Sequence, residues 1–331
     1  MTTRWSIAVR LVVLTAVLLA ATLLAVAVGA VPVPPGAILD ALAGTADATT
    51  RAIVIDLRLP RAALAMVIGA ALAVAGTVFQ ALLRNPLAEP YILGVSGGAA
   101  VGAVAVIGFF AAAPGWLVPV AAFAGGIGAI ALVFRIAASV GTALDTRVLL
   151  LAGVVVGAFF NAVILLLLTL ADVETFRSAV FWMMGSLASA TWRSVGLLTA
   201  YAAPALIVLL ALSRPLNLMA IGEETALYLG TRVERVKRVA YVVASLLVAA
   251  GVAVAGVIGF VGLIVPHALR LVWGGDHRFL LPGSALAGAA FLLLADTAAR
   301  TVAAPVELPV GVVTALIGVP VFVVLLTRRP A

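Results

Sequence analysis

Residues 148–170 read VLLLAGVVVGAFFNAVILLLLTL and contain no charged side chain. A helix that crosses a bilayer needs about 20 predominantly apolar residues, so this stretch is long enough to span one. Similar stretches recur along the whole chain, which is 65% hydrophobic and only 10% charged over 331 residues. Soluble domains are about half apolar, so this composition predicts a polytopic helical membrane protein.

The apolar stretches predict an all-α fold of about ten transmembrane helices in a single domain, 1–331. The eighth stretch is too short for a regular span, so we expect it to pack inside the bundle. The first has a basic start like a signal peptide, but its apolar part is too long for one, and we interpret it as a retained helix. The predicted helices lie near 11–31, 61–83, 91–111, 117–138, 148–170, 193–212, 239–258, 260–273, 280–299 and 309–327.

The distribution of basic residues predicts the orientation. An even number of helices places both termini on one side, and basic residues concentrate on the cytoplasmic side of membrane proteins. With the termini inside, the inner segments carry Arg4, Arg10, Arg84, Arg135, Arg147, Arg214, Arg232, Arg235, Lys237, Arg238, Arg270, Arg278, Arg328 and Arg329. The outer segments carry only Arg51, Arg58, Arg61, Arg177, Arg193 and Arg300. We therefore predict a multi-pass protein of the inner (cytoplasmic) membrane with both termini cytoplasmic. The net charge of +7 then reflects topology and contact with lipid headgroups, not nucleic-acid binding.

Several kinds of chemistry are excluded or disfavoured by the residues that are absent. The chain has no cysteine, which excludes disulfides and thiol catalysis. Its one lysine, Lys237, does not lie in a phosphate-binding loop. His267 and His277 have no acidic cluster around them, so no metal site is predicted. No nucleophile–base pair lies at membrane depth, which disfavours an enzyme. Asn161 is the most central polar residue of the predicted spans, and we expect transport along an apolar path that is powered elsewhere.

Two predicted helices carry small residues at helical spacing. Gly94, Gly97, Gly98 and Gly102 lie on the third helix, and Gly153 and Gly157 lie on the fifth. Such faces let helix backbones approach closely in lipid. They are typical of ordinary bundle packing, and they also fit a helix that lines a path or a homodimer seam. Asn161 has the same two interpretations, since it can hydrogen-bond a neighbouring helix.

The connector 221–230 reads IGEETALYLG and is followed by TRVERVKR. It is either a polar loop between two membrane helices or a docking surface for a soluble partner. Glu223 and Glu224 suit a helix N-terminus, and Gly230 suits its C-terminal cap. Between them Ala226, Leu227 and Leu229 supply an apolar surface beside Tyr228. A helix this short is not stable alone, so it must pack against something.

Seven separated segments, taken together, carry a family resemblance. They are RLPR at 58–61, QALLRNPLAEPYILGVSGGA at 80–99, LLLAGV at 149–154, FWMMGSL at 181–187, IGEETALYLG at 221–230, GFVGLIVPHALRLVWGGDHRFLLPGS at 259–284 and ELPVGVVTALIGVPVFVVLL at 307–326. Their order and spacing resemble the permease subunits of type II ABC importers for ferric siderophores, haem and cobalamin. The resemblance covers nearly the whole chain after the first helix.

The resemblance implies a permease homodimer with the translocation path along its two-fold axis. It also implies two cytoplasmic ATP-binding cassette subunits, which would hold ATP and Mg, and one extracytoplasmic substrate-binding protein. No cofactor is then expected on this chain. A ferric siderophore is the favoured chelate, followed by cobalamin and then haem. The alternative from another class is a secondary transporter that needs no ATPase.

The resemblance also assigns roles to particular residues. It makes the coupling segment, about 214–236, the ATPase docking site, through Gly222, Glu223, Glu224, Ala226, Leu227, Tyr228, Leu229 and Gly230. It makes Arg58, Arg61 and Arg300 contacts to acidic residues of the binding protein. The alternative for Arg58 and Arg61 is that they extend to lipid headgroups or pair with Asp56.

The cytoplasmic gate is the third assignment. By resemblance, the turn after the second helix and the loop before the fifth close the path, which places Leu87, Thr146 and Arg147 at the gate. Arg147 stands where the family pattern has a small residue. Gly153, Gly157 and Asn161 are predicted to lie along the path.

Overall fold

The computed structural model describes residues 6–29, 31–110, 113–140 and 145–327. The described part of the chain is helical and contains no strands. The helices are α1 (Ile7–Ala27), α2 (Pro35–Ala43), α3 (Ala48–Arg51), α4 (Leu59–Leu82), α5 (Val95–Phe109), α6 (Leu117–Val140), α7 (Thr146–Leu170), α8 (Val173–Met183), α9 (Trp192–Ala211), α10 (Ser213–Ile221), α11 (Glu223–Tyr228), α12 (Val233–Ala255), α13 (Val261–Trp273), α14 (His277–Thr301) and α15 (Val310–Thr327).

Each of the ten predicted membrane helices is present, and the all-α prediction is confirmed. They are α1, α4, α5, α6, α7, α9, α12, α13, α14 and α15. Seven stretches, among them a continuous one from Ala48 to Leu82, are long and apolar enough to cross a membrane. The apolar helices α5, α13 and α15 are shorter. The eighth predicted helix corresponds to α13, which is short, as the sequence predicts.

Additional short helices fill the segments that the hydropathy pattern leaves as connectors. Asp47 caps α3 by accepting hydrogen bonds from the amides of Thr49 and Thr50, both at 3.0 Å. Asp172 caps α8 in the same way through the amide of Thr175, at 2.8 Å. Aspartate is among the preferred N-cap residues, so these starts carry a readable local signal. Hydropathy missed them because α3 and α8 are too short to span a membrane.

The start of the second predicted membrane helix is wrong. A π-helical segment, Ala52–Arg58, joins α3 to α4, so one helix runs continuously from Ala48 to Leu82. Pro60 lacks an amide hydrogen and its ring crowds the preceding turn, and the wider π turn before it makes room for that ring. Arg58 and Arg61 therefore lie well inside a helix, away from the N-terminus where a cation would oppose the helix dipole.

α4 forms the centre of the bundle. It packs against α9, α12, α13 and α14, and most of its side chains are buried, from Ala62 to Leu82. α5 and α6 form a second close pair, and α7 packs on the outside of α5. α1 packs mainly against α14. A large hydrophobic core includes residues of α1, α4, α5, α12 and α14, and a smaller one joins the end of α1 to α2 and the start of the helix that leads into α4. The single domain stays a prediction.

Glycines allow the closest of these contacts. A side chain at Gly98 would collide with the backbone of Gly125 on α6, and one at Gly102 would collide with Ala121. Gly69 and Gly288 make the equivalent contact between α4 and α14. Lipid gives no hydrophobic driving force between helices, so small residues that let backbones touch stabilise the bundle by van der Waals packing.

The α5–α6 seam gives a matched test. Gly125→Val would place side-chain atoms against the carbonyl of Gly98, whereas Gly128 on the same helix has open space where its side chain would be. We expect Gly125→Val to lower the free energy of unfolding by about 1–3 kcal/mol because the helices must separate. Gly128→Val should leave it almost unchanged. Thermal unfolding in detergent measures the stability of both variants. Equal melting temperatures would show that close packing of α5 on α6 does not require Gly125.

Candidate translocation and docking sites

Polar contacts gather at two ends of the bundle. At the α11 end, α4 finishes near the start of α7 and the first turn of α12. At the opposite end, which we call the α8 end, Trp192 after α8 donates its indole N–H to the carbonyl of Ile55, at 2.9 Å. Arg4, Arg328 and Arg329, which the sequence predicts to lie on the inner side, fall outside the described residues.

The helix predicted in the connector 221–230 is present as α11. Glu223 and Glu224 occupy its first turn, as the helix dipole favours. Gly230 follows it in the left-handed conformation, with φ of 80°. The amides of Gly230 and Thr231 donate to the carbonyls of Leu227 and Ala226, both at 2.9 Å. This double hydrogen bond is the Schellman arrangement that ends many helices at a glycine.

α11 presents an unpartnered apolar surface on this chain. Tyr228 is 91% exposed, and Ile221, Leu227 and Leu229 are also largely exposed, whereas Ala226 on the opposite side is fully buried. A helix of this length draws its stability from packing. Ala226 and the ion pairs of Glu223 fix α11 to the permease and leave its other face free for a partner.

Glu223 connects α11 to two other parts of the chain. Its carboxylate lies 2.5 Å from Lys237 Nζ in the first turns of α12 and 3.2 Å from a guanidinium nitrogen of Arg84, just beyond α4. The Lys237 side chain is only 6% exposed. A buried ammonium requires a partner because desolvation of an unpaired charge is costly.

The predicted gate residues lie beside this cluster. The hydroxyl of Thr146 donates to the carbonyl of Leu82 at the end of α4, at 3.3 Å, so the two predicted gate segments touch. Leu87 is exposed in the turn that follows α4, and Arg147 is exposed in the first turn of α7. A cavity of ≈ 480 Å³ is lined by Thr146, Arg147 and Glu223, and Leu87 is not part of its lining. The gate function of Leu87, Thr146 and Arg147 stays a prediction.

α7 has a packed face and an open face. Gly153 and Gly157 lie against Gly94, at the start of α5, where a side chain on Gly94 would come within 3.2 Å of their backbones. Their small size therefore serves packing within this chain. Asn161 and Phe159 point away from that seam and are exposed. The open face is the part of α7 that remains available for a path or a second copy.

The structure adds a functional candidate that hydropathy missed, Glu89. The segment after α4 folds back into the bundle, where Pro90 packs on Gly262. Gly262 in turn contacts Gly76, which lies six residues and so about 9 Å from the end of α4. A Glu89 carboxylate oxygen accepts a hydrogen bond of 2.6 Å from the amide of Phe260, just before α13.

Glu89 supports an irregular piece of backbone inside the bundle. Phe260 has φ of 68°, in the left-handed region that bulky residues rarely adopt, and its ring packs against Gly318 on α15. The predicted third helix, 91–111, made the residues directly after Pro90 part of a regular span, whereas the structure starts α5 only at Val95. An acidic residue directly before a proline was the available signal, since proline disfavours helix at the preceding position.

At the α8 end, Arg58 lies inside the chain. Its side chain donates to the carbonyls of Val26 and Ala27 at the end of α1, at 2.6 and 3.0 Å, and to the carbonyl of Val31. Only 7% of Arg58 is exposed. A cation that satisfies the last carbonyls of a helix also complements its dipole. In this state the guanidinium caps α1, and it reaches neither headgroups nor Asp56.

Arg61 and Arg300 converge on one carboxylate, Asp296. Arg61 Nε lies 3.0 Å from Asp296, and Arg300 Nε lies 3.3 Å from it. Arg61 also pairs with Glu307 at 2.9 Å. Asp296 is 1% exposed, whereas the Glu307 side chain is 48% exposed. Arg61 and Arg300 thus share a carboxylate within the chain, while Arg58 is bound to backbone carbonyls. The role of the three arginines in docking stays a prediction.

A further polar cluster joins α10 to α14. Asp276 accepts hydrogen bonds from Asn217 at 2.7 Å and from the Arg278 side chain, also at 2.7 Å. The Arg278 side chain holds the pKa of the Asp276 carboxyl well below its usual range; burial opposes this shift, and the hydrogen bond from Asn217 adds to it. His277 Nδ1 lies 2.8 Å from the side-chain oxygen of Asn217, so this histidine makes a structural polar contact. Among the described residues, no three His, Cys, Asp or Glu side chains gather to form a metal site.

Comparison with known proteins identifies the family. The FecCD transport family matches residues 17–328. The chain belongs to this family.

Named relatives narrow the function class. The cobalamin import system permease protein BtuC of Halobacterium salinarum is 48% identical over 281 residues, or 85% of this chain and 75% of that protein. The hemin transport system permease protein HmuU of Yersinia pestis is 43% identical over 283 residues, 83% of each chain. The vitamin B12 import system permease protein BtuC of Salmonella typhimurium is 41% identical and covers 98% of this chain and 95% of its own.

A solved structure agrees with the architecture. A metal-chelate type ABC transporter in an inward-facing conformation superposes with a TM-score of 0.86 at 34% identity, covering 96% of this chain and 99% of that one. The FecCD chain is therefore a transmembrane permease of the ABC importer family for metal chelates, cobalamin and haem. The predicted type II importer fold is confirmed.

The charge cluster at the α8 end gives a second test. Asp296→Asn removes the buried carboxylate that Arg61 and Arg300 share, so we expect the free energy of unfolding to fall by about 3 kcal/mol. Glu307→Gln removes the exposed partner of Arg61 and should cost only about 0–1 kcal/mol. Thermal unfolding in detergent compares the two variants. Equal losses would show that Asp296 does not hold the cluster together.

Proposed function

We propose that this permease forms a homodimer that moves a bulky metal chelate into the cytoplasm, powered by two ATP-binding cassette subunits. The α11 end would face the cytoplasm and the α8 end the binding protein, with both termini inside an inner membrane. The observation that carries the proposal is the exposed apolar face of α11, because a permease without a phosphate-binding loop needs an ATPase partner to use ATP.

The docking role of α11 follows from its two faces. One face is fixed by Ala226 and Glu223, and the other exposes Leu227, Tyr228 and Leu229. An exposed apolar group of this kind, bordered by charged residues, is typical of a protein interaction site. Movement of an ATPase seated on α11 would reach the permease through the side that is fixed.

The substrate path would lie between two copies of the open face of α7. Phe159, Leu165 and Leu166 are exposed there with Asn161, and an apolar wall suits a bulky chelate. The names of the reported relatives support cobalamin and haem. The ferric siderophore is favoured by the sequence resemblance alone. Titration of the partner binding protein with cyanocobalamin, haemin and a ferric siderophore distinguishes the three.

We expect Leu227→Asp with Leu229→Asp to abolish co-purification of the ATPase, because two carboxylates would have to be buried in the interface. The double variant should still fold, since both side chains are exposed. Val173→Asp, which alters an exposed apolar residue at the α8 end, is the matched control and should retain the ATPase.

An ATPase that still co-purified with the double variant would remove α11 as the docking site. Substrate transport by the wild-type permease in vesicles without ATPase or ATP would instead favour the secondary transporter.

Docking of the binding protein would use the arginine cluster at the α8 end. Arg58, Arg61 and Arg300 carry three positive charges against the two negative charges of Asp296 and Glu307, so the cluster keeps an excess of one. A carboxylate of the partner would compete with Glu307 for Arg61, because Glu307 is the exposed half of that pair. Two copies of the cluster in a homodimer would match a partner with two lobes.

We therefore expect Glu307→Gln to tighten binding-protein docking by about threefold at low ionic strength, the range of an exposed charge pair. The effect should decline as salt screens the charges. Glu174→Gln removes another exposed carboxylate from the α8 end, in the first turn of α8, and should change affinity less. The affinity of each variant for the purified binding protein tests this expectation. Weaker docking of Glu307→Gln would contradict a contact between Arg61 and a carboxylate of the binding protein.

A further inference from the structure

The ion pair between Glu223 and Arg84 joins two regions to which the proposed function gives different tasks. Glu223 begins α11, the proposed seat of the ATPase. Arg84 lies in the turn after α4, three residues before Leu87 at the proposed gate. The carboxylate and guanidinium are 3.2 Å apart. This ion pair is therefore a direct contact between the docking helix and the gate turn.

Local hydrogen bonds hold the turn from Arg84 to Leu87 in one arrangement. Arg84 has φ of 46°, in the left-handed region, and the amide of Asn85 donates to the carbonyl of Gln80 on α4, at 3.2 Å. Asn85 then accepts a hydrogen bond from the amide of Leu87, at 2.9 Å. A displacement of Arg84 is therefore carried to Leu87 through fixed hydrogen bonds.

The two ion-pair partners of Glu223 differ in how deeply their side chains are buried. Lys237 is buried on α12 and holds one carboxylate oxygen at 2.5 Å, with Glu234 at 3.9 Å on its other side. The Arg84 side chain is 48% exposed and faces the cavity that Asp145 and Arg147 also line. Lys237 thus anchors α11 to α12, and Arg84 is the partner that can exchange.

We infer that the Glu223–Arg84 pair transmits movement of α11 to the gate turn, with both residues acting as positioning residues. The inference rests on the proposed function, which seats the ATPase on α11 and places Leu87 at the gate. A contact can shift a conformational equilibrium only when it differs between the two states. The pair holds the gate turn in the state described here and changes when the ATPase subunits close on ATP.

The test uses a cysteine at Leu87, in a chain that has no other, and the assembled permease–ATPase complex. Cross-linking between the two copies is measured without nucleotide and after trapping with ATP and vanadate. With an otherwise native sequence we expect the yield to differ between the two conditions. Arg84→Asn should abolish that difference while the ATPase still co-purifies. Asparagine tolerates the left-handed conformation, so the turn is preserved.

Three companion variants separate transmission from a structural effect. Arg84→Lys keeps the charge and should restore the nucleotide-dependent difference. Glu223→Gln should also abolish the difference, and it should lower the stability of the complex in addition because it removes the close partner of the buried Lys237. Adding Arg84→Asn to Glu223→Gln should change the cross-linking no further, because both substitutions remove the same Glu223–Arg84 contact. Arg135→Gln removes another exposed positive charge, on α6, and should behave like the native sequence.

A nucleotide-dependent difference that survives Arg84→Asn would overturn the inference, and so would loss of the ATPase from that variant. If the native complex cross-linked in no nucleotide state, or bound no ATPase, the proposed function itself would fail and the inference with it.

Discussion

Backbone amides and carbonyls inside a bilayer have no water to bind, so every break in a helix must be satisfied by the protein itself. This chain interrupts its helices in several places and meets each break with a side chain from a distant segment. Gln80 on α4 donates to the carbonyls of Gly262 and Leu263 in the first turn of α13. Glu89 accepts from the amide of Phe260, and Arg58 satisfies the last carbonyls of α1. The start of the short helix α13 is held by the contacts of Gln80 and Glu89.

The same constraint distributes polarity along the bundle. The middles of the long helices pack through glycine, alanine and valine, while charged groups collect where helices end. At the α8 end, Asp296 lies between Arg61 and Arg300. At the α11 end, Glu223 lies between Lys237 and Arg84. Each cluster has one deeply buried member, Asp296 or Lys237, and one more exposed member, Glu307 or Arg84. In the proposed function, the exposed members are the groups that would meet soluble partners.

Sequence patterns identified many of the elements that serve transport. The helix at 223–228 was readable from its acidic start, its apolar residues and Gly230, since all of these act within two turns of chain. The glycines of α5 indicated close packing, and the structure shows that one pair faces α6 and another faces α7. The start of α4 was wrong because hydropathy falls where Arg58 and Arg61 occur, although the helix continues through them. Their charges are tolerated because Asp296, 235 positions after Arg61, neutralises one of them.

The sequence by itself determined the ten membrane helices, the all-α class, the resemblance to type II ABC importer permeases and the amphipathic α11, because hydropathy, caps and motifs depend on neighbouring residues. Only the tertiary structure decided which side chains share a charge and which segments break inside the bundle. Glu89 reads locally as part of a polar turn, yet it lies against the start of α13, where it accepts a hydrogen bond from the amide of Phe260. Arg58 reads as an exposed cation, yet it caps α1 because the π-helical segment turns it toward those carbonyls. Pairings of this kind depend on how all the helices pack, and no local pattern contains that information.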